Sequence, residues 1–272
     1  MGQDYIEAPA GQRFVYKQDG EKEAFLEVYF PPDHKPETAK VPAILMFHGG
    51  GWSKGSPEQF RYFCNYFSNR GLVTATVSYT LGEGKEACII DGRSAIRWMK
   101  QSADRLGIDP ERLVVGGGSA GGQIAFVSTL ADKLNDRSDA TEIDTSVAAY
   151  ILFSPAFSLL RPGNAKVNAV AYAHARLAPM IVFYAEHDPG WLKGWAELYP
   201  KLLELERPKV DYWVAPEQRH GFFNTQPWLD LALVKSDQFL VELGLLSGSA
   251  LISESAGNAS FIVGPKPLDL SR

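Results

Sequence analysis

A chain of 272 residues with 45% apolar composition can bury one substantial core, and α/β domains of this size are commonly single. Its net charge of -5 and pI near 5.6 argue against nucleic-acid binding, which calls for a basic stripe. Apolar runs such as "VAAYILF" fall far short of a bilayer span, so no membrane partner is expected.

The opening "MGQDYIEAPAG" has no apolar signal core, and Ile6 stands where a myristoylation motif needs Ser or Thr. The chain is therefore expected to be cytoplasmic, or periplasmic or secreted if a signal has been removed. Period-2 stretches come first: "RFVYKQ", then "AFLEVYF" closed by Pro31 and Pro32, with a surface loop over 31 to 42. "PAILMFHGG" is a near-continuous apolar run, the signature of a parallel strand buried on both faces. "SPEQFRYFCNYFSNRG" predicts a helix capped by Ser56, with Pro57 in its first turn and Gly71 as its stop.

Strand "LVTATVSY", a helix over 87 to 106, strand "RLVVGG" and a helix over 119 to 134 follow. "VAAYILFS" and "PMIVFYA" are further strands, then a helix over 191 to 206 and the strand "VDYWVA". A last helix near 228 to 243 lines up Leu229, Leu233, Leu240 and Leu243 before Gly244. This alternation implies a mostly parallel sheet covered by helices on both faces. Residues 1 to 246 read as a single α/β domain, and 247 to 272 as a tail that is disordered or packed on the surface.

The stretch "VVGGGSAGGQ", residues 114 to 123, has two parsings. Gly116, Gly118 and Gly121 spell the dinucleotide fingerprint; Gly117, Ser119 and Gly121 spell the G-x-S-x-G nucleophile elbow. The fingerprint demands an acid at the end of the next strand, but "VAAYILF" runs into "SPAFSLL", which has none. Asp139, Glu142 and Asp144 precede that strand, at its wrong end. The elbow demands a strand before, a helix after and small residues around the serine, and all three are present. A glycine-rich turn without chemistry stays open on this motif alone.

The rest of a triad decides the matter. Such folds order it Ser, then Asp or Glu, then His. "IVFYAEHDP" ends a strand in a turn carrying Glu186 and Asp188, and "EQRHGFF" places His220 after the next strand. Both sites fall at the carboxyl edge of the sheet, with Ser119. Asp188 is the chosen acid and Glu186 its rival. Of the other histidines, His34, His174 and His187 read as surface or capping residues. Upstream, "FHGGGW" supplies the glycine-rich loop that aims backbone N–H groups at a developing oxyanion. Gly50 and Gly51 are the expected donors, with Ala120, while His48 fixes the loop.

Together "HGGGW", "GIDPERL", "GGSAGG", "AEHDP" and "HGFFN", in this order, resemble the hormone-sensitive-lipase-type branch of the α/β-hydrolase superfamily over residues 14 to 245. "GGGW", "SPEQF", "GGGSAGG" and "HGFF" resemble its acetyl-xylan-esterase-like bacterial esterases. The resemblance implies an α/β-hydrolase fold without a large cap domain, and a serine esterase of short-chain, notably acetyl, esters. The substrate is then a small-molecule or oligosaccharide ester, with no metal or organic cofactor. Two departures stand out: Gly118 replaces the Asp many members carry before the nucleophile, and Arg219 replaces a Gly before the histidine. Arg219 is expected to bind a surface carboxylate, with contact to substrate as the alternative.

The implied mechanism is acyl transfer through Ser119, with His220 as base and Asp188 orienting it. Activity is then expected to fall as pH drops through the histidine range, since a protonated imidazole is no base. Rival readings are a nucleotide-dependent oxidoreductase, a catalytically silent binding module, a general short-chain carboxylesterase and a serine peptidase. The short segment 155 to 178 implies an open site. Trp52, Trp191 and Trp195 are a candidate platform for sugar rings, against the alternative that Trp191 and Trp195 pack one helix face on the core. Cys64 falls on the apolar helix face with Phe60 and Phe67, so a buried free thiol is expected; a Cys64–Cys88 bridge is the alternative. Two cysteines suffice neither for a zinc cluster nor for a disulfide framework.

Overall fold

The computed structural model describes residues 5–157, 165–172, 177–205, 208–253 and 259–265. Nine strands form one sheet in the order β1-β2-β4-β3-β5-β6-β7-β8-β9. β1 (Gln12–Asp19) and β2 (Lys22–Tyr29) make an antiparallel hairpin about Gly20, whose φ of 59° is the left-handed conformation glycine tolerates best. From β3 (Val41–Phe47) and β4 (Val73–Val77) through β5 (Ile108–Gly118), β6 (Ala149–Phe153), β7 (Met180–His187) and β8 (Val210–Arg219), neighbouring strands are parallel.

Alternate strand residues feed two cores, because successive side chains point to opposite faces. Ile44, Met46, Val114, Ile151 and Phe183 pack beneath α1 (Arg61–Asn69) and α6 (Trp228–Glu242). Leu45, Phe47, Val115, Leu152 and Val182 pack beneath α2 (Lys85–Gln101), α4 (Ala120–Ser128) and α5 (Pro189–Glu204). Helices thus cover both faces of a mostly parallel sheet, as the alternation of elements implies. Cys64 lies in the first core and Cys88 in the second, so the bridge is ruled out by the sheet between them; both are free and buried. Burial pushes the Cys88 thiol up to about 12.

Several boundaries differ from the sequence expectation for local reasons. Residues Pro57–Phe60 form a 3₁₀ turn ahead of α1, and the Ser56 hydroxyl turns to the Glu58 carboxylate instead of a helix N–H. The single helix expected over 87 to 106 divides at Ser102 into α2 and α3 (Ala103–Leu106), which Gly107 ends at φ 65°. α4 stops at Ser128, where the buried Arg93 guanidinium takes the Ser128 carbonyl at 2.8 Å. In the tail, β9 (Ile262–Val263) pairs antiparallel with β8, and Phe261 inserts against Phe183 and Trp228. Its first residues are held by Arg70, which donates to the Ser247 carbonyl while paired with buried Asp237 at 2.6 Å. Among the described residues, no helix is long and apolar enough to cross a membrane.

Candidate active site

Because β3 to β8 run parallel, the carboxyl ends of β3, β5, β7 and β8 meet at one edge. That edge carries His48–Gly51, Ser119, Asp188 and His220. Ser119 links β5 to α4 at φ 54°, ψ -118°, a strained turn for a side-chain-bearing residue. The glycines beside it are sterically required. A Cβ on Gly121 would lie 2.0 Å from the Phe47 carbonyl oxygen, and one on Gly117 would lie 2.5 Å from the same atom. The glycine pattern therefore serves close packing of the elbow on the end of β3. At Gly118, a Cβ would meet the Phe223 ring at 2.6 Å, which accounts for the absence of a longer residue there.

Ser119 Oγ lies 2.9 Å from His220 Nε2, and His220 Nδ1 lies 2.7 Å from Asp188 Oδ2. The carboxylate is buried, with 7% of its side chain exposed, while the imidazole is 36% exposed and reaches the solvent-facing cleft. Asp188 sits at the N-cap of α5 and its backbone carbonyl accepts from Leu192 N at 3.1 Å, so its position is fixed by the helix start. Glu186 points elsewhere: it is exposed and accepts from Glu217 N at 2.8 Å. His220 follows directly on β8, which runs four residues beyond "VDYWVA" through a register shift between Ala185 and His187. Arg219 is exposed and, among the described residues, has no carboxylate within ion-pair distance, contrary to its expected role.

The loop after β3 turns tightly, with Lys54 N bonding the Gly50 carbonyl at 3.1 Å. Gly50 has φ 118°, and a Cβ there would lie 1.9 Å from the Lys54 carbonyl oxygen, so only glycine fits. Among the described residues the Gly50 and Gly51 N–H groups have no protein acceptor. Ala120 opens α4, where the N–H has no partner within the helix. His48 is buried under this loop, its Nδ1 donating to the Gly49 carbonyl at 2.7 Å and its ring stacked on Tyr79 at 4.3 Å. Burial lowers its pKa to about 4, so it stays neutral at physiological pH.

A stability test arises here. A depression from 6.5 to about 4 corresponds to about 3 kcal/mol, present above pH 6.5 and lost as pH falls toward 4, since the unfolded chain takes up the proton first. Urea unfolding of His48→Asn should accordingly show a shallower loss of stability between about pH 7 and 4.5 than the parent chain. Parallel slopes would contradict the buried neutral state.

These elements enclose a cleft of about 310 Å³ lined by Gly49–Gly51, Ser119, His220, Trp191 and Phe223, among others. Trp191 stands on its wall, 5.9 Å from the His220 ring. Trp52 contacts Trp191 edge-on at 6.5 Å, and the Lys85 ammonium lies 3.9 Å over its ring. Trp195 is fully buried, stacked on Tyr199 at 5.0 Å, and so takes no part in a sugar platform. One helical turn separates Trp191 and Trp195, and that turn carries the ring from cleft to core. His174 lies outside the described residues. Sequence reading missed Gln59 and Asn224, which also line the cleft; both stand inside quoted motifs, but no local pattern singles them out.

The family model described as BD-FAE matches residues 26–161. The carboxylesterase NlhH of Mycobacterium tuberculosis is 27% identical over 245 residues, 76% of this chain and 73% of that protein. Solved structures of esterase 2 from the Planctomycetes species Thermogutta terrifontis superpose closely. The apo form is 32% identical with a TM-score of 0.83, covering 90% of this chain and 98% of that one. The propionate-bound form gives 31%, 0.83, 90% and 98%, and the butyrate-bound form 31%, 0.82, 89% and 97%. A mostly parallel nine-stranded sheet, shared with these esterases along nearly the whole chain, places the protein in the BD-FAE family, within the hormone-sensitive-lipase-type α/β-hydrolase esterases that hydrolyse carboxylic esters.

Proposed function

We propose that this esterase cleaves short-chain acyl esters by a two-step acyl transfer through Ser119. The observation that carries the reading is the hydrogen-bonded chain from Ser119 through His220 to buried Asp188, opening on the cleft. Ser119 Oγ attacks the ester carbonyl while His220 Nε2 takes its proton, and Asp188 holds the ring and stabilises the imidazolium. The N–H groups of Gly50, Gly51 and Ala120 receive the oxyanion, where preorganised donors gain most from a water-poor setting. His220 then protonates the leaving alkoxide, and water enters to release the acid by the same route in reverse.

The acyl limit follows from how little chain the site can bury. The cleft opens on solvent beside the partly exposed His220 imidazole, and each methylene left in water forgoes about 0.8 kcal/mol. Esterase 2 has been solved with propionate and with butyrate bound, which supports the same limit for this chain. Trp191, beside the imidazole that protonates the leaving alcohol, favours a second element of the reading: an acetylated sugar stacking on its ring. Initial rates on p-nitrophenyl acetate and butyrate should exceed those on the palmitate at least about tenfold. Acetylated xylo-oligosaccharides should be deacetylated. Palmitate turnover equal to acetate would contradict the short-acyl reading, and inert acetylated sugars would remove the carbohydrate alcohol from it.

A further inference from the structure

The oxyanion loop and the histidine loop come from chain segments about 170 residues apart, yet both must be held in register at this site. The oxyanion loop follows β3, and the histidine loop follows β8, four strands away across the sheet. Among the described residues, no backbone hydrogen bond joins residues 48–55 to residues 219–225. Among the described residues, one side chain hydrogen-bonds to both segments. Gln59 Oε1 accepts from Gly49 N at 2.6 Å, and Gln59 Nε2 donates to Asn224 Oδ1 at 2.9 Å.

Each contact is one residue or one turn from the chemistry. Gly49 immediately precedes Gly50 and Gly51, and a Cβ on it would lie 3.3 Å from Ser119 Cβ, so this loop is already pressed against the elbow. Asn224 N closes a 3₁₀ turn on the Gly221 carbonyl at 2.9 Å, directly after His220. Gln59 itself sits on the rigid turn Pro57–Phe60, whose Pro57 and Phe60 are buried. An amide is suited to this place because one end must accept and the other must donate.

On the proposed triad reading, we infer that Gln59 is a positioning residue that ties the oxyanion loop to the histidine loop. Its loss leaves the nucleophile, base and acid intact but lets the donors drift from the place where the oxyanion forms. Misplacement of that kind costs turnover more than ground-state binding.

The test uses Gln59→Met, which keeps length and volume but offers neither bond, together with Asn224→Ala and the double variant. Gln59→Met should lower kcat about 10- to 100-fold on p-nitrophenyl acetate, less than loss of a whole oxyanion donor, with KM within about threefold. The inhibition constant of a trifluoromethyl ketone, which mimics the tetrahedral adduct, should rise in parallel. Asn224→Ala should lower kcat as well, and the double variant should fall no more than about twofold below Gln59→Met, as expected for one shared connection. A merely structural role would instead lower the melting temperature and leave kcat of the folded fraction unchanged. If Gln59→Met does not fold, Asn224→Ala carries the test, since it spares the Gly49 bond. Unchanged kcat in the folded variants, with Ser119→Ala inactive, overturns the role of Gln59 alone; activity surviving in Ser119→Ala overturns the triad reading beneath it.

Discussion

Ser119→Ala should lower ester turnover by about 10⁵ to 10⁶ while the chain stays folded. The substitution removes one atom whose hydrogen bond goes to His220 Nε2, and Ser119 is only half-buried, so no core contact is lost. Its backbone at φ 54° is held by the surrounding packing, in which Ser119 N donates to the Phe153 carbonyl at 2.8 Å and Ala156 N to the Ser119 carbonyl at 2.9 Å. Alanine keeps those bonds, so the melting temperature should move little. The proposed oxyanion donors of Gly50, Gly51 and Ala120 are also untouched, which should set the residual rate above that of water. Initial rates on p-nitrophenyl acetate with a parallel thermal melt check both halves. More than a few per cent of activity in clean, folded protein would place the nucleophile elsewhere.

Asp188→Asn should cost about 10⁴ in turnover. His220 Nδ1 donates to Asp188 Oδ2 at 2.7 Å, and this bond keeps the free lone pair on Nε2, facing Ser119. An amide in the same place can donate to Nδ1 instead, which favours the tautomer with its proton on Nε2 and no base toward the serine. Burial of Asp188 deepens the effect, because the imidazolium formed during attack loses a buried counter-charge. Glu186→Gln provides the contrast. Its carboxylate is exposed and engages the Glu217 amide, so turnover should stay within about threefold. A larger loss in Glu186→Gln than in Asp188→Asn would reverse the choice of acid.

Much of this architecture is legible from one-dimensional pattern. Continuous apolar runs identify β3 and β7 because a strand covered on both faces has no polar side, and the glycines around Ser119 betray a turn that nothing larger could make. What escapes the sequence depends on distance across the fold. The helix expected to run to residue 134 is cut at Ser128 because Arg93, on another helix, takes its terminal carbonyl. Trp195 shares spacing and chemistry with Trp191, and only the direction of α5 buries one and leaves the other on the cleft. The separation of Cys64 from Cys88 follows from which face of the sheet each helix covers. Gln59 carries no pattern at all, since its two partners lie 10 and 165 residues away.

The most direct measurement is covalent labelling with an organophosphate, diethyl p-nitrophenyl phosphate, followed by peptide mass spectrometry. An activated serine displaces p-nitrophenolate and keeps the phosphoryl group, because its base is then poorly placed to admit water. The account predicts stoichiometric release of p-nitrophenolate, loss of esterase activity in step with it, and a single adduct on the peptide carrying Ser119, absent in Ser119→Ala. Loss of activity with Ser119 unmodified, or an adduct on another residue that tracks inactivation, would contradict it.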